Sequence, residues 1–206
     1  MASLIKSDIR LNFHIHLLKS KAMFSRTEPW ISKGYEAFAL GGESMLKVEL
    51  LAKEVGISKS SFYHHFIDLD FFINELLNHH VKMAQLVAEK EQAVSNINPG
   101  LIEVLLEHKV DVLFNRQLRI HAPHAKYKEA LALSNQLMGN GFVDLWLEDT
   151  KLKISRQQAD ALVMLAFDQF FLQLHPDRFN RQWLEQYFDQ LKQIGLRFDT
   201  TLYGTD

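Results

Sequence analysis

Residues 45–66 read MLKVELLAKEVGISKSSFYHHF, and this stretch decides the fold. Val48, Leu51, Ala52 and Val55 fall at i, i+3, i+4 and i+7, which puts four apolar side chains on one helical face. Gly56 follows where a helix needs a residue that tolerates left-handed dihedrals to end it. Ile57 is apolar and is expected to plug the corner, and Ser58 is a good N-cap for a short second helix from Lys59 to Phe66. Helix, glycine turn, helix is the layout of a helix-turn-helix, whose second helix can lie in a DNA major groove. The buried side of that helix is expected to hold Phe62 and Phe66. Its other side shows Lys59, Ser60, Ser61, Tyr63, His64 and His65, all able to hydrogen-bond to phosphates or base edges.

The run Leu51-Ala52-x-x-Val55-Gly56-Ile57-Ser58-Lys59-Ser60-Ser61-Phe62-Tyr63-His64-His65-Phe66 resembles the TetR family of one-component bacterial regulators. The similarity reaches back over Ile31–Gly41 and forward into Phe72–Leu76; the rest of the chain matches the family in length and helical character only. The resemblance implies an all-α protein with a DNA-binding domain at 27–75 and a ligand-binding, dimerising body at 76–206. It implies a homodimer on a palindromic operator, released by a small-molecule effector. At the matching positions it places Lys59, Ser60 and Tyr63 on base edges or the groove floor, and Ser61, His64 and His65 on phosphates, behind the cap at Ser58. The family commonly has a lysine in the first turn of the connecting helix, where Leu69 stands here; either Lys47 or Lys53 compensates, or DNA affinity is lower.

An apolar fraction of 47% and a charged fraction of 23% are ordinary for a globular protein. The chain has no cysteine, which removes disulfides and thiolate zinc sites and fits a reducing, cytoplasmic setting. No stretch approaches the roughly 18 uncharged apolar residues of a membrane span, so no membrane partner is expected. Residues 1–66 hold nine Lys/Arg against six Asp/Glu, and residues 67–206 hold 14 against 19. That split suits a mildly basic reading head on an acidic body.

Residues 1–26 form an extension of a different kind. Ile9, Leu11, Phe13, Ile15 and Leu17 alternate with Arg10, Asn12, His14 and His16, the period of a half-buried strand. A lone strand is not stable, so the arm is expected to be disordered or loosely packed, or else to contact DNA through its basic residues. Met23 is a second candidate for the natural start, since it sits close before the first expected helix.

That helix is expected from a cap at Thr27, with Ile31, Tyr35, Phe38 and Ala39 inward and Gly41-Gly42 ending it. Asp68 caps a long connecting helix running to about Val94, and Asn98-Pro99-Gly100 is a clear break. One helix is expected from Leu101 to about Leu118, then an irregular piece over Ile120–His124. Another spans Tyr127 to Leu147, with a kink or a true turn at Gly139-Asn140-Gly141. Ser155 caps a helix from Arg156 to Leu174 that is apolar nearly all round, as a helix buried on every side would be. The last, from Arg181 to about Ile194, is amphipathic.

These last two helices stand where the resembling family builds a four-helix dimer interface, which implies that role for Phe170, Phe171, Trp183, Tyr187 and Leu191. Phe114, Trp146, Met164 and Phe167, set among Arg116, His121 and Tyr127, have the make-up of an effector pocket; aromatics at this spacing are equally the make-up of a core. No nucleophile elbow, P-loop, dinucleotide fingerprint or zinc-protease motif occurs, so neither enzymatic activity nor a cofactor is expected. His79-His80 and His121-x-x-His124 lack a third ligand nearby, and no metal is expected. Two readings remain: a ligand-responsive homodimeric repressor, or a helical binding module whose head no longer recognises an operator.

Overall fold

Apolar residues at helical spacing build helices throughout the computed structural model, which describes residues 26–138 and 141–199; no strand occurs among them. The alternating Ile9–Leu17 stretch and Met23 lie outside the described residues. The described chain divides into two compact units, one of 26–35 with Leu46–Leu76 and one of Glu36–Met45 with 77–199.

The first unit is built on rings. It takes the first part of helix α1 (26–41), then α2 (Val48–Val55), α3 (Lys59–His65) and the opening turns of α4 (Leu69–Ala93). Arg26 and Thr27 are already helical, so Thr27 is not the flanking cap expected of it. Trp30 and Phe62 meet edge to face at 5.4 Å, Phe62 and Phe72 at 5.1 Å, and Phe66 and Phe72 at 4.8 Å. All four rings are buried. Edge-to-face contacts of this kind add about 0.5–1.5 kcal/mol each beyond the burial itself. Gly56 ends α2 at φ 76°, ψ 22°, with its N–H donating to the Ala52 carbonyl at 3.0 Å. Asp68 caps α4, its Oδ1 accepting from the Phe71 N–H at 2.7 Å. Ile57 is 41% exposed and plugs nothing: the rings already fill the corner.

In the second unit Gly42 ends α1 and starts a tight turn, Gly42–Met45. After α4 the break is a wide turn at Ile97–Leu101, closed by the Asn96 side chain accepting from the Gly100 N–H at 2.8 Å. The single helix expected next is two, α5 (Ile102–Glu107) and α6 (Lys109–His121). They part at His108, whose ring pairs with Asp111 at 2.9 Å in the first turn of α6. That buried polar pair is invisible to hydrophobic periodicity. Helix α6 also runs on to His121, through part of the expected irregular piece. Helices α7 (Ala125–Leu137) and α8 (Phe142–Thr150) are separate, so the glycine stretch is a true break.

Ser155 opens α9 (Arg156–Gln173) with a full capping box, its hydroxyl accepting from Gln158 N–H and the Gln158 side chain from Ser155 N–H. Helix α10 (Arg181–Leu196) completes the described helices and packs on α5 and α9. One core gathers Trp146, Val143, Leu152, Ala159, Val163 and Leu191. A second stacks Phe38 on Phe114 at 4.5 Å, with His80 against the same ring at 4.6 Å. Burial pushes the His80 pKa down to about 3, so its imidazole is neutral.

Gly34 on α1 leaves room for the Phe72 ring: a Cβ there would lie 2.3 Å from Cζ. Phe72 is held by Phe62 and Phe66 and has nowhere to go. Alanine gains about 1 kcal/mol in helix propensity, but overpacking costs about 1–3 kcal/mol. Gly34→Ala is therefore expected to lose up to about 2 kcal/mol in urea unfolding, with helix content unchanged.

Candidate functional site

Helix α3 is seven residues long and turns one ring, Phe62, fully inward. Its remaining surface is polar: Lys59, Ser60, Tyr63 and His64 are exposed, and Ser61 and His65 half-buried. Tyr63 is 51% exposed, its ring set edge-on to Phe62 at 5.3 Å. A buried aromatic thus steadies an exposed one. Ser58 sits at the N-cap position with extended dihedrals, but its hydroxyl meets the Ser60 hydroxyl at 2.9 Å and makes no bond to the α3 backbone. The expected side-chain cap is absent, and two hydroxyls stand together at the exposed start of the helix.

Charge on this face is less available than its lysine and histidines suggest. The Lys59 ammonium is paired with Glu49 of α2, which holds the Glu49 carboxyl below and the lysine above its ordinary pKa. The His65 pKa is lowered, first by burial and then by the neighbouring His64 charge. A neutral His65 offers a phosphate a hydrogen bond without a charge. Lys47 stands exposed at the N-cap of α2, while Leu69 is half-buried.

The second unit holds a cavity of about 320 Å³ lined by residues of every helix from α4 to α10. Of the residues expected to line an effector pocket, Met164 and Phe167 do so. Phe114, Arg116, His121, Tyr127 and Trp146 do not. Phe114, Tyr127 and Trp146 are fully buried core, and Tyr127 donates a hydrogen bond to Glu43, holding that carboxyl below its usual range. Phe114 and Tyr127 are taken up where α6 and α7 pack directly on each other, and Trp146 in the core that α8 shares with α9.

Aromatic rings dominate the cavity wall, with Phe142, Phe167, Phe170, Phe171, Tyr187 and Phe188 all contributing. Tyr187 donates its hydroxyl proton to the Ala166 carbonyl, and burial lifts its pKa to about 12, so it is uncharged. Arg119 lies 4.2 Å over the Phe171 ring and reaches Asp168 and Asn135, each at 3.3 Å. Asn115 is fully buried; its amide donates to Ser134 at 3.2 Å and its Oδ1 has no hydrogen-bond partner. Glu91 is the outlier, a mostly buried carboxyl on α4 with no ion pair and no side-chain hydrogen bond. Burial alone raises its pKa to about 7. Sequence reasoning missed it, although it continues the inward stripe of Ala84 and Ala88 at helical spacing.

The residues expected at a dimer interface divide. Phe170 and Leu191 are buried within the chain, while Phe171, Trp183 and Tyr187 are half-buried. Phe170 is surrounded by Phe171, Phe179, Trp183 and Tyr187, and so belongs to the chain's own core. Nor is α9 buried on every side: Met164, Leu165 and Leu172 are 65%, 61% and 75% exposed. Its all-round apolarity serves two faces, one inside the chain and one outside it. Among the described residues no group of three metal-ligating side chains occurs, and no helix is long and apolar enough to cross a membrane.

An unpartnered buried carboxyl should cost stability. Between the ordinary carboxyl pKa of 4.5 and about 7, the unfolded chain holds fewer protons at Glu91 than the folded one. Folding is then weakened as pH rises through that window, by up to about 3 kcal/mol above it. Glu91→Gln is expected to be more stable than the parent by about 1–3 kcal/mol at pH 8 and equal to it near pH 4, read from urea midpoints at each pH.

No family model, curated protein or solved structure matches the chain, so its function has to follow from this polar helix face and this cavity.

Proposed function

We propose that the chain is a DNA-binding transcriptional regulator, a repressor that reads a palindromic operator as a homodimer and releases it on binding a small molecule. The observation that supports this best is α3. A short helix held from behind by Phe62 offers only polar groups in front, at a glycine corner behind a first helix, as a recognition helix does. In this reading α2 and α3 are the helix-turn-helix head that the resemblance to the TetR family implies. Lys59, Ser60 and Tyr63 reach base edges, while Ser61, His64, His65 and Lys47 meet the backbone. Lys59 must first exchange Glu49 for the nucleic acid, so its contribution is reduced by the pair it gives up.

The effector would enter the aromatic cavity, and α4 is the element that carries the message. It bears Phe72, Ile73 and Leu76 of the first unit and Val87, Ala88 and Glu91 at the cavity. A ligand switches such a protein only by favouring one of two arrangements, since equal affinity for both shifts nothing. Nothing in this reading calls for catalysis.

The paired Lys59 and the neutral His65 favour a second reading, a helical binding module whose head no longer holds an operator. Sequences selected from random DNA by the whole protein separate the two. Enrichment of a palindrome supports the regulator, and no enrichment the module. On the selected site Tyr63→Ala is expected to weaken binding by about 1–3 kcal/mol in a gel shift, with folding intact. For the dimer, Leu165→Glu with Leu172→Glu places charges on the exposed face of α9 and is expected to give monomers in sedimentation. Dimers persisting in that variant would place the interface elsewhere.

A further inference from the structure

We infer that the cavity of the second unit is built for a lipophilic cation, a primary or quaternary ammonium carried on an aromatic or alkyl body, with Glu91 as its counter-ion. This names the class of the effector and rests on the proposed function for its consequence, though not for the binding itself.

Two acceptors at the cavity are unspent. Glu91 is mostly buried with nothing to neutralise it, and Asn115 presents an Oδ1 without a hydrogen-bond partner. A buried acceptor left unmatched is costly, and a carboxylate more so than an amide. A primary ammonium brings both N–H donors for such acceptors and the charge the carboxylate lacks, whereas a quaternary ammonium answers the carboxylate alone. The wall supplies the rest. Aromatic faces carry negative potential and attract a cation placed over them, while their area binds an apolar body. A volume of about 320 Å³ holds a guest of one ring and a short chain.

The rival guest is an anion on Arg119, whose buried Nε also lacks a partner. Its charge is already met by Asp168 and spread over the Phe171 ring. The other ionisable groups at the wall are Asp111, bonded to His108, and Tyr187, uncharged and bonded to Ala166. The carboxyl without a partner is therefore Glu91, and an anionic guest would add to its repulsion.

The carboxyl also sets a pH dependence. Glu91 must be ionised to hold a cation, so affinity should rise as pH moves from 6 to 8 through its pKa of about 7. Of the other groups at the wall, Tyr187 stays neutral across this range, its pKa lifted by burial to about 12.

The test uses the whole protein, without DNA, in titration calorimetry with three guests of one skeleton: phenylbutylammonium, phenylbutanol and phenylpentanoate. At pH 8 the ammonium is expected to bind roughly tenfold or more tighter than the alcohol, and the carboxylate most weakly. Glu91→Gln should bring the ammonium down to the alcohol's affinity, leave the alcohol unchanged and abolish the pH dependence. Met164→Trp, which fills the cavity from an exposed position, should weaken the ammonium and the alcohol alike. Equal binding of ammonium and alcohol, tightest binding of the carboxylate, no binding by any guest, or an unchanged preference in Glu91→Gln would each overturn the assignment. Because binding is read without DNA, failure here leaves the operator experiment standing, and failure there leaves this one.

Discussion

Phe62 is the side chain on which the first unit depends. A helix of seven residues has no stability of its own in water, since nucleation costs more than its few hydrogen bonds return. What fixes α3 is the removal of this ring from solvent, against Trp30, Phe66 and Phe72. The same packing sets which side of α3 faces outward, and hence which residues are offered to a partner. Gly34 belongs to this arrangement because a bare α-carbon lets α1 approach the Phe72 ring. The polar face is thus a consequence of the apolar one.

The second unit treats its buried ionisable groups in two ways. His80 and the His108–Asp111 pair are absorbed into packing: the first stacks as a neutral ring, the second closes the junction of α5 and α6. Glu91 is absorbed into nothing. A core built for stability alone would hold an apolar residue there, and the loss it imposes is the kind that active and binding sites carry. This separates the cavity from an ordinary packing defect, which would be lined by apolar groups throughout.

Helix α9 shows how one hydrophobic helix serves two purposes. Val163 and Phe170 close the chain's own core, Phe167 lines the cavity, and Leu165 and Leu172 stay outside. Side chains of this size on one exposed stripe are a surface in want of a partner, and a second copy of the chain is the partner the proposed reading supplies. The same helix bearing both the cavity wall and that stripe would let a guest influence the association of two copies.

The sequence by itself determined the all-helical class, the glycine corner, the inward Phe62 and Phe66, and the caps at Asp68 and Ser155. Each of these is a local matter, set by spacing along one helix or by a side chain bonding backbone a few residues away. Tertiary structure alone decided the rest. Whether Phe114 and Trp146 were core or pocket depended on which helix lay opposite, and periodicity reports a face without its neighbour. The break at His108 came from a polar pair, which has no hydrophobic signature. The split of α9 into inner and outer stripes could not be read from a helix apolar on every side. Glu91 stood on a legible inward stripe, but its lack of a partner is a statement about every helix around it, and only their packing could make it.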